Sequence, residues 1–164
     1  MEIKGKKFTY KVINKRLPNG QMSRVELIEH PGAALMVPFL TKEKMIFLRQ
    51  YRAVLEKYLY ELPAGTLENK EKALTCAKRE LIEETGYAAK KMTKLGRIYP
   101  VPGYSTEVIY IYKAEGLTAQ SGLKDIDEII QVRIFTRQEV QNLFQRKKII
   151  DAKTICALAF CGWI

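Results

Sequence analysis

The sequence predicts an α+β fold with a mixed central sheet and an antiparallel β-hairpin at the N-terminus. Short segments rich in β-branched and aromatic residues crowd residues 8–65, and the apolar spacing then changes to that of a helix. Two more helical segments follow near the C-terminus. The strand pairs cluster and do not alternate regularly with helices, which is typical of mixed α and β architecture. We expect one domain over residues 1–164, with residues 1–30 as an N-terminal extension.

The first half of the chain supplies most of the predicted strands. Residues 8–17 and 22–30 flank Asn19-Gly20, a pair that tolerates the positive φ angles of a tight turn, so they form the hairpin. Strands are also predicted at 33–40, 44–52, 57–65, 94–99, 106–114 and 129–135.

Three helices are predicted. In the first, Asn69 is the expected N-terminal cap, Gly86 the C-terminal end in a left-handed conformation, and the apolar face packs in the core. That face consists of Ala73, Leu74, Ala77 and Leu81. Thr136 and Glu139 have the spacing of a capping box for a helix over about 137–146. Asp151 caps the last helix.

The formal net charge of +10 has two interpretations, steering of a small anionic substrate and binding of nucleic acid. The basic residues are scattered in runs at 4–7, 89–94 and 146–148, which are typical of solvated surface, and no Arg-rich stripe with interleaved aromatics occurs. We therefore expect no nucleic-acid partner.

Apolar runs and cysteines indicate no membrane or disulfide framework. The sequence has no run of about 18 apolar residues, and its first residues lack the apolar core of a signal peptide. Cys76, Cys156 and Cys161 are expected to be free thiols, and His30 alone cannot support a zinc site. We expect a cytoplasmic protein.

Glu80, Glu83 and Glu84 would share one face of the first helix, where like charges three and four residues apart repel. A solvated acidic face is one explanation. The other is a metal site, because Mg²⁺ prefers oxygen ligands and takes one or two carboxylates with waters and phosphate oxygens.

The surrounding spacing resembles the signature of the Nudix hydrolases, G-x5-E-x7-R-E-U-x-E-E-x-G-U, over residues 65–87. Leu81 fits the first aliphatic position, U, and Tyr87 departs from the last. The fixed positions all match: Gly65, Glu71, Arg79, Glu80, Glu83, Glu84 and Gly86.

This resemblance implies an α/β/α sandwich and a Mg²⁺ or Mn²⁺ site of two or three ions. Arg79 would orient the glutamates, with Gly65, Glu71 and Gly86 structural. The resemblance implies as metal ligands the Ala64 carbonyl, Glu80, Glu83, Glu84 and Glu128; the four glutamates are also the catalytic candidates.

Two segments outside the box resemble the ADP-ribose pyrophosphatase and nucleoside diphosphate sugar branch of that family. "RQYR" followed by "ELPAG" suggests a substrate contact at Arg52, and "YPVPGYSTE" places Pro102 16 residues after Gly86. Gly103, Tyr104 and Glu107 of the second segment complete the substrate-binding candidates. The branch also implies a homodimer that shares the N-terminal sheet, with Phe8 or Tyr10 holding the adenine.

The acidic loop departs from the branch. The glutamate often given the role of general base falls on Ile126, which cannot accept a proton, so Asp125, Asp127, Glu128 or Glu83 would replace it.

The expected function is therefore Mg²⁺-dependent hydrolysis of the diphosphate of ADP-ribose or a related nucleoside diphosphate sugar, giving a nucleoside monophosphate and a sugar phosphate. Other Nudix substrates remain alternatives: GDP-mannose, a modified nucleoside triphosphate, a dinucleoside polyphosphate or a capped RNA end. A non-catalytic nucleotide-binding module is a further alternative.

Overall fold

The computed structural model describes residues 1–120 and 129–164. The strands are β1 (Glu2–Lys4), β2 (Thr9–Arg16), β3 (Met22–Glu29), β4 (Ala33–Thr41), β5 (Lys44–Arg52), β6 (Lys57–Glu61), β7 (Ala64–Thr66), β8 (Tyr87–Ile98), β9 (Ile109–Ala119) and β10 (Ile130–Thr136). The helices are α1 (Ala73–Thr85), α2 (Arg137–Gln145) and α3 (Ala152–Phe160), and a 3₁₀ turn covers Ala53–Leu55.

A mixed sheet forms the centre, as predicted. Its strands run in the order β10-β5-β4-β9-β8, with β6 added to β5 and β7 added to β4. The pairing of β4 with β9 is parallel, and the other described pairings are antiparallel. β4 therefore lies between strands of both senses, and β7, which leads into the predicted metal site, is hydrogen-bonded to it.

Alternation along β4 produces two cores, one on each side of the sheet. One face of β4 packs with α2 and α3, in a cluster that includes Ala33, Leu35, Val37, Val140, Ala157, Leu158 and Trp163. The other face packs with α1, in a cluster that includes Ala34, Met36, Cys76, Ala77 and Leu81. The result is the predicted α/β/α sandwich, and the two cores fix α1 and α3 against the same strand.

The N-terminal segment forms its own antiparallel sheet, in the order β1-β2-β3. The predicted hairpin is confirmed, with Gly20 at φ 84° in its turn. The amide of Ile28 donates to the carbonyl of Tyr104 at 2.7 Å, and the carbonyl of Ile28 accepts from the amide of Thr106 at 3.0 Å. These bonds attach the edge of this sheet to the loop that precedes β9.

The helix ends follow the sequence signals in most cases. Gly86 ends α1 with φ 75°, and Thr136 and Glu139 form the capping box of α2. Asp151 caps α3 by accepting from the amide of Thr154 at 3.0 Å. None of the helices in the two described ranges is long and apolar enough to span a bilayer.

Two predictions about α1 are wrong. Asn69 does not cap the helix, which begins at Ala73 after Lys72, because residues 68–71 form a turn in which the amide of Glu71 donates to the carbonyl of Glu68. Leu74 is not in the core, since its side chain lies in the exposed first turn and is 40% exposed. Cys76 takes its place in the buried face.

The last long strands also differ from expectation. β8 and β9 pair from Tyr87 with Ala119 to Ile98 with Ile109, so β8 begins seven residues earlier than predicted and β9 runs five residues further. The added part of β8 contains lysines, which are depleted in strands, so the sequence does not indicate a strand there although the backbone pairs in a long ladder. β1 and β7 were not predicted as separate strands.

Candidate active site

Arg79 on α1 binds three carboxylates, one of which, Glu71, belongs to the segment of residues 66–72 before the helix, which we call the strap. Its Nε and Nη2 donate to the two oxygens of Glu71 at 3.1 and 3.0 Å. Its Nη1 donates to Glu80 at 2.8 Å and to Glu83 at 2.9 Å. One guanidinium therefore offsets the repulsion between acidic side chains that share a helix face, in the fork geometry that suits carboxylates.

These contacts stabilise the charged forms of Glu71 and Arg79, the pair that joins the strap to α1. Hydrogen bonds from Arg79 lower the pKa of Glu71, and the bond to Glu71 together with the neighbouring charge of Glu80 raises the pKa of Arg79 above its ordinary value. Burial raises the pKa of the Cys76 thiol beneath them to about 12, with the charge of Glu71 adding to the effect. Cys76 is therefore a neutral packing residue, and the ionic contacts belong to Arg79.

Glu84 connects α1 to the strand β7. Its side chain is 6% exposed, and its Oε2 accepts from the amide of Ala64 at 2.9 Å. Next to it, the backbone of Gly65 passes so close to Glu80 that a Cβ on residue 65 would lie 1.9 Å from the Glu80 carboxyl carbon. Any larger residue at position 65 would have to displace the Glu80 carboxylate, which gives the first residue of the box motif its physical reason.

A cavity of about 650 Å³, which we call the central cavity, brings most of the predicted site together. Its lining includes Lys6, Lys7, Arg52, Ala64, Gly65, Arg79, Glu80, Glu83, Glu84 and Ile130. Four glutamates, the fourth being Glu68, and several basic side chains thus surround a space large enough for a nucleotide fragment.

The donor set of the central cavity fits a hard divalent cation, since Mg²⁺ needs only one or two carboxylates in addition to waters and phosphate oxygens. Within residues 1–120 and 129–164, no three His, Cys, Asp or Glu side chains converge on a single point. The carboxylates have other partners, because Arg79 donates hydrogen bonds to Glu80 and Glu83 while the amide of Ala64 donates to Glu84. Glu128, the fifth predicted ligand, and Ile126 lie outside the described residues.

Arg52 is part of an ionic network that the sequence did not reveal. Its Nε and Nη2 donate to the two oxygens of Glu61 at 2.7 and 2.6 Å. Lys153 of α3 donates to the same carboxylate and, at 3.0 Å, to Asp151. Burial raises the pKa of Glu61, but the hydrogen bonds and charges of Arg52 and Lys153 outweigh it, so the pKa is lowered overall. The carboxylate is 1% exposed and stays ionised between two cations.

A smaller cavity of about 300 Å³, the side cavity, shares Arg52, Ala64 and Gly65 with the central one. Glu107 and Lys153 line it as well. Pro102, Gly103 and Tyr104 are exposed and are not among the residues that line either cavity, although their loop is bonded to β3. Their role as substrate contacts stays a prediction.

Sequence reasoning missed four side chains of this region. Lys6 and Lys7 were interpreted as solvated surface, yet the turn after β1 places both at the central cavity. Glu61 lies in the quoted "ELPAG" segment, where an acidic residue inside an apolar strand end was the available signal. Lys153 is separated from Glu61 by 92 positions, and no local pattern links the two.

The NUDIX domain family model matches residues 29–158 of the chain. The chain belongs to the Nudix hydrolase family. With the box helix in place and every fixed box residue present, it is a Nudix pyrophosphohydrolase related to the ADP-ribose pyrophosphatases.

Two curated relatives cover most of the chain. An ADP-ribose pyrophosphatase of Bacillus subtilis (strain 168) is 36% identical over 158 residues, which are 95% of this chain and 85% of that protein. A methanol dehydrogenase activator of Bacillus methanolicus is 39% identical over 147 residues, 88% of this chain and 79% of that protein. A crystal structure of an ADP compounds hydrolase superposes with a TM-score of 0.82 at 23% identity, covering 98% of this chain and 87% of that one, which supports the fold.

Gly65→Ala should displace the carboxylate of Glu80 and reduce hydrolysis by about 100-fold, because misplacing a functional group by about 1 Å has an effect of that size. Thermal unfolding should change little, since the displaced atoms are the end of a flexible side chain. Steady-state kinetics and calorimetry measure the two effects. In a Glu80→Gln background the same glycine change should add almost nothing; a full 100-fold further loss there would contradict the mechanism.

Glu61→Gln should lower the free energy of unfolding at pH 7 by about 3 kcal/mol, as expected when one partner of a buried ionic network is removed. The wild-type pKa of Glu61 is lowered, so its stabilisation is present above the ordinary glutamate pKa and is lost as the pH falls through the lowered value. The variant should therefore lose less stability than wild type between about pH 5 and pH 3. Urea unfolding across this range tests it, with the exposed Glu43→Gln as control. Equal acid slopes for wild type and Glu61→Gln would contradict the prediction.

Proposed function

We propose that this Nudix hydrolase cleaves the diphosphate of ADP-ribose or a related nucleoside diphosphate sugar with Mg²⁺, giving a nucleoside monophosphate and a sugar phosphate. The observation that carries the proposal is the central cavity, where Glu80, Glu83 and Glu84 meet Ala64 beside the cation of Arg52. A site with both carboxylates and cations suits a substrate that is an anion and must arrive with a metal.

Glu80, Glu84 and the carbonyl of Ala64 would hold the metal ions, with Glu83 close by and Glu128 as the candidate from the undescribed loop. When bound, divalent ions neutralise diphosphate oxygens and make a bound water more acidic. Mn²⁺ would bind to the same donors, and two or three ions are expected. Arg79 would orient Glu80 and Glu83 towards the metal through the hydrogen bonds that it donates to them.

Glu83 is the general base that we propose for the attacking water. It is the most exposed of the three box carboxylates whose side chains face the cavity, at 36% against 15% for Glu80, and Arg79 holds it in place through one oxygen. Its other oxygen is able to accept a proton from a water in the cavity. This assignment supplies the proton acceptor that Ile126 cannot provide.

The substrate preference rests on the residues around the box. Arg52, fixed by Glu61, would bind the diphosphate or the terminal ribose, and Glu107 lies at the wall of the side cavity. Pro102, Gly103 and Tyr104 would close over the sugar or base from the neighbouring loop. The similarity to the ADP-ribose pyrophosphatase of Bacillus subtilis supports ADP-ribose as the first substrate to test. Other nucleotide sugars and other Nudix substrates are the alternatives.

A homodimer is proposed from the N-terminal sheet. Its strands carry apolar side chains on both faces: Ile13 with Val25 on one, and Ile3, Tyr10 and Ile28 on the other. Several are well exposed, including Ile3, Phe8, Ile13 and Met22. A three-stranded sheet needs at least one covered face for stability, and a second copy of the chain would provide the cover.

Glu84→Gln should reduce AMP release from ADP-ribose by at least about 100-fold, because it removes a metal-binding charge while its amide oxygen still accepts from Ala64. The assay compares ADP-ribose, ADP-glucose, GDP-mannose and a nucleoside triphosphate, each with and without Mg²⁺. Glu43→Gln, at an exposed turn, is the matched control. Near-normal turnover by Glu84→Gln would remove this residue from the metal site, and wild-type activity on none of the diphosphate sugars would refute the proposed substrate class.

Ile13→Lys should convert the dimer to a monomer, because a charge on this sheet face cannot be buried without a partner. Sedimentation velocity measures the change, and Gln145→Lys, which adds the same single charge at an exposed position of α2 outside the N-terminal sheet, should remain dimeric. Deletion of residues 1–30 should weaken dimerisation and substrate binding together. A fully active monomer would contradict a pocket shared between subunits.

A further inference from the structure

The segment from Glu61 to Gly65 is held at every residue. The side chain of Glu61 is bound by Arg52 and Lys153, the amide of Leu62 donates to the Thr154 hydroxyl at 2.9 Å, and the carbonyl of Pro63 accepts from the amide of Met36 at 2.9 Å. The last two residues meet the box carboxylates. The amide of Ala64 donates to Glu84, and Gly65 abuts Glu80.

Two of these anchors come from consecutive residues of α3, Lys153 and Thr154. Thr154 is fully buried, and its hydroxyl is the acceptor for the buried amide of Leu62. Lys153 reaches Glu61 from the adjacent position. A helix near the C-terminus therefore determines where a segment 92 positions earlier lies.

Asp151 makes the two anchors one unit. Its Oδ2 accepts from the amide of Thr154 at 3.0 Å, and its Oδ1 accepts from Lys153 Nζ at 3.0 Å. The cap of the helix thus fixes the backbone of one anchor and the side chain of the other. Because α3 is itself packed on β4 through Ala157 and Leu158, the anchors are tied to the centre of the fold.

We propose that α3 positions the metal-binding edge of the site, with Thr154 as the principal positioning residue and Lys153 as the second. The inference rests on the proposed metal site. Thr154 fixes Leu62, two residues before the carbonyl of Ala64, and the amide of the same Ala64 orients Glu84. A small displacement of this segment would move one proposed ligand and release another, and neither positioning residue would touch the metal.

Mn²⁺ binding, followed by electron paramagnetic resonance of the free ion without substrate, tests the proposal directly. Thr154→Val keeps the shape of the side chain and removes the acceptor, and it should weaken Mn²⁺ affinity about tenfold, the lower end of the losses found when groups that support a metal site from outside its ligands are removed. Thr154→Ser restores the hydroxyl and should bind within about twofold of wild type. Lys153→Met should weaken binding in the same direction, and Lys153→Arg should recover most of it.

Leu158→Ala is the matched control, because it removes a buried apolar group of the same helix but none of the described hydrogen bonds and ion pairs that hold residues 61–65. It should lower the melting temperature but leave Mn²⁺ affinity within about twofold of wild type. Folded Thr154→Val and Lys153→Met proteins that bind Mn²⁺ like wild type would overturn the proposal, as would an equal loss in Leu158→Ala. No Mn²⁺ binding by wild type would instead overturn the proposed metal site, on which the inference depends.

Discussion

The contacts of Arg79 are the interaction on which the rest of the site depends. Three glutamates on one helix face would repel one another and destabilise α1, but a single guanidinium binds Glu80 and Glu83 and also reaches back to Glu71. The same contacts bring the strap of residues 66–72 over the helix. Arg79 therefore stabilises a cluster of negative charge in a chain whose net charge is +10. The excess of positive charge outside the cluster favours the approach of an anionic substrate.

The central sheet determines where this cluster lies. β4 is buried on both faces, so α1 packs on one side of it while α2 and α3 pack on the other. β7 pairs with β4 and passes beside α1, which brings Ala64 to Glu84 and Gly65 to Glu80. The candidate site is consequently formed between a helix and a strand of the buried core. In the function that we propose, the box residues supply the chemistry and the surrounding segments supply the specificity.

Local sequence signals predicted what depends on local structure. Asn19-Gly20, the capping box at Thr136 and the left-handed Gly86 each specify a turn or a helix end through their own conformational preferences, and each is found. Asn69 does not cap α1, because the strap in which it lies is fixed by a tertiary contact, the hydrogen bonds from Arg79 to Glu71. The positions of three residues at the site could not be predicted, because their neighbours there are far away in the chain and no local pattern links them: Lys6, Lys153 and Thr154.

The central claim is that the carboxylates of Glu80 and Glu84 bind a divalent metal between α1 and β7. A crystal of the protein soaked with Mn²⁺ and a non-hydrolysable ADP-ribose analogue, measured near the manganese absorption edge, tests it most directly. The account predicts an anomalous peak within coordination distance of Glu80, Glu84 and the carbonyl of Ala64, with the diphosphate of the analogue beside it. Well-ordered analogue with no manganese at these carboxylates, or manganese bound only elsewhere, would contradict it.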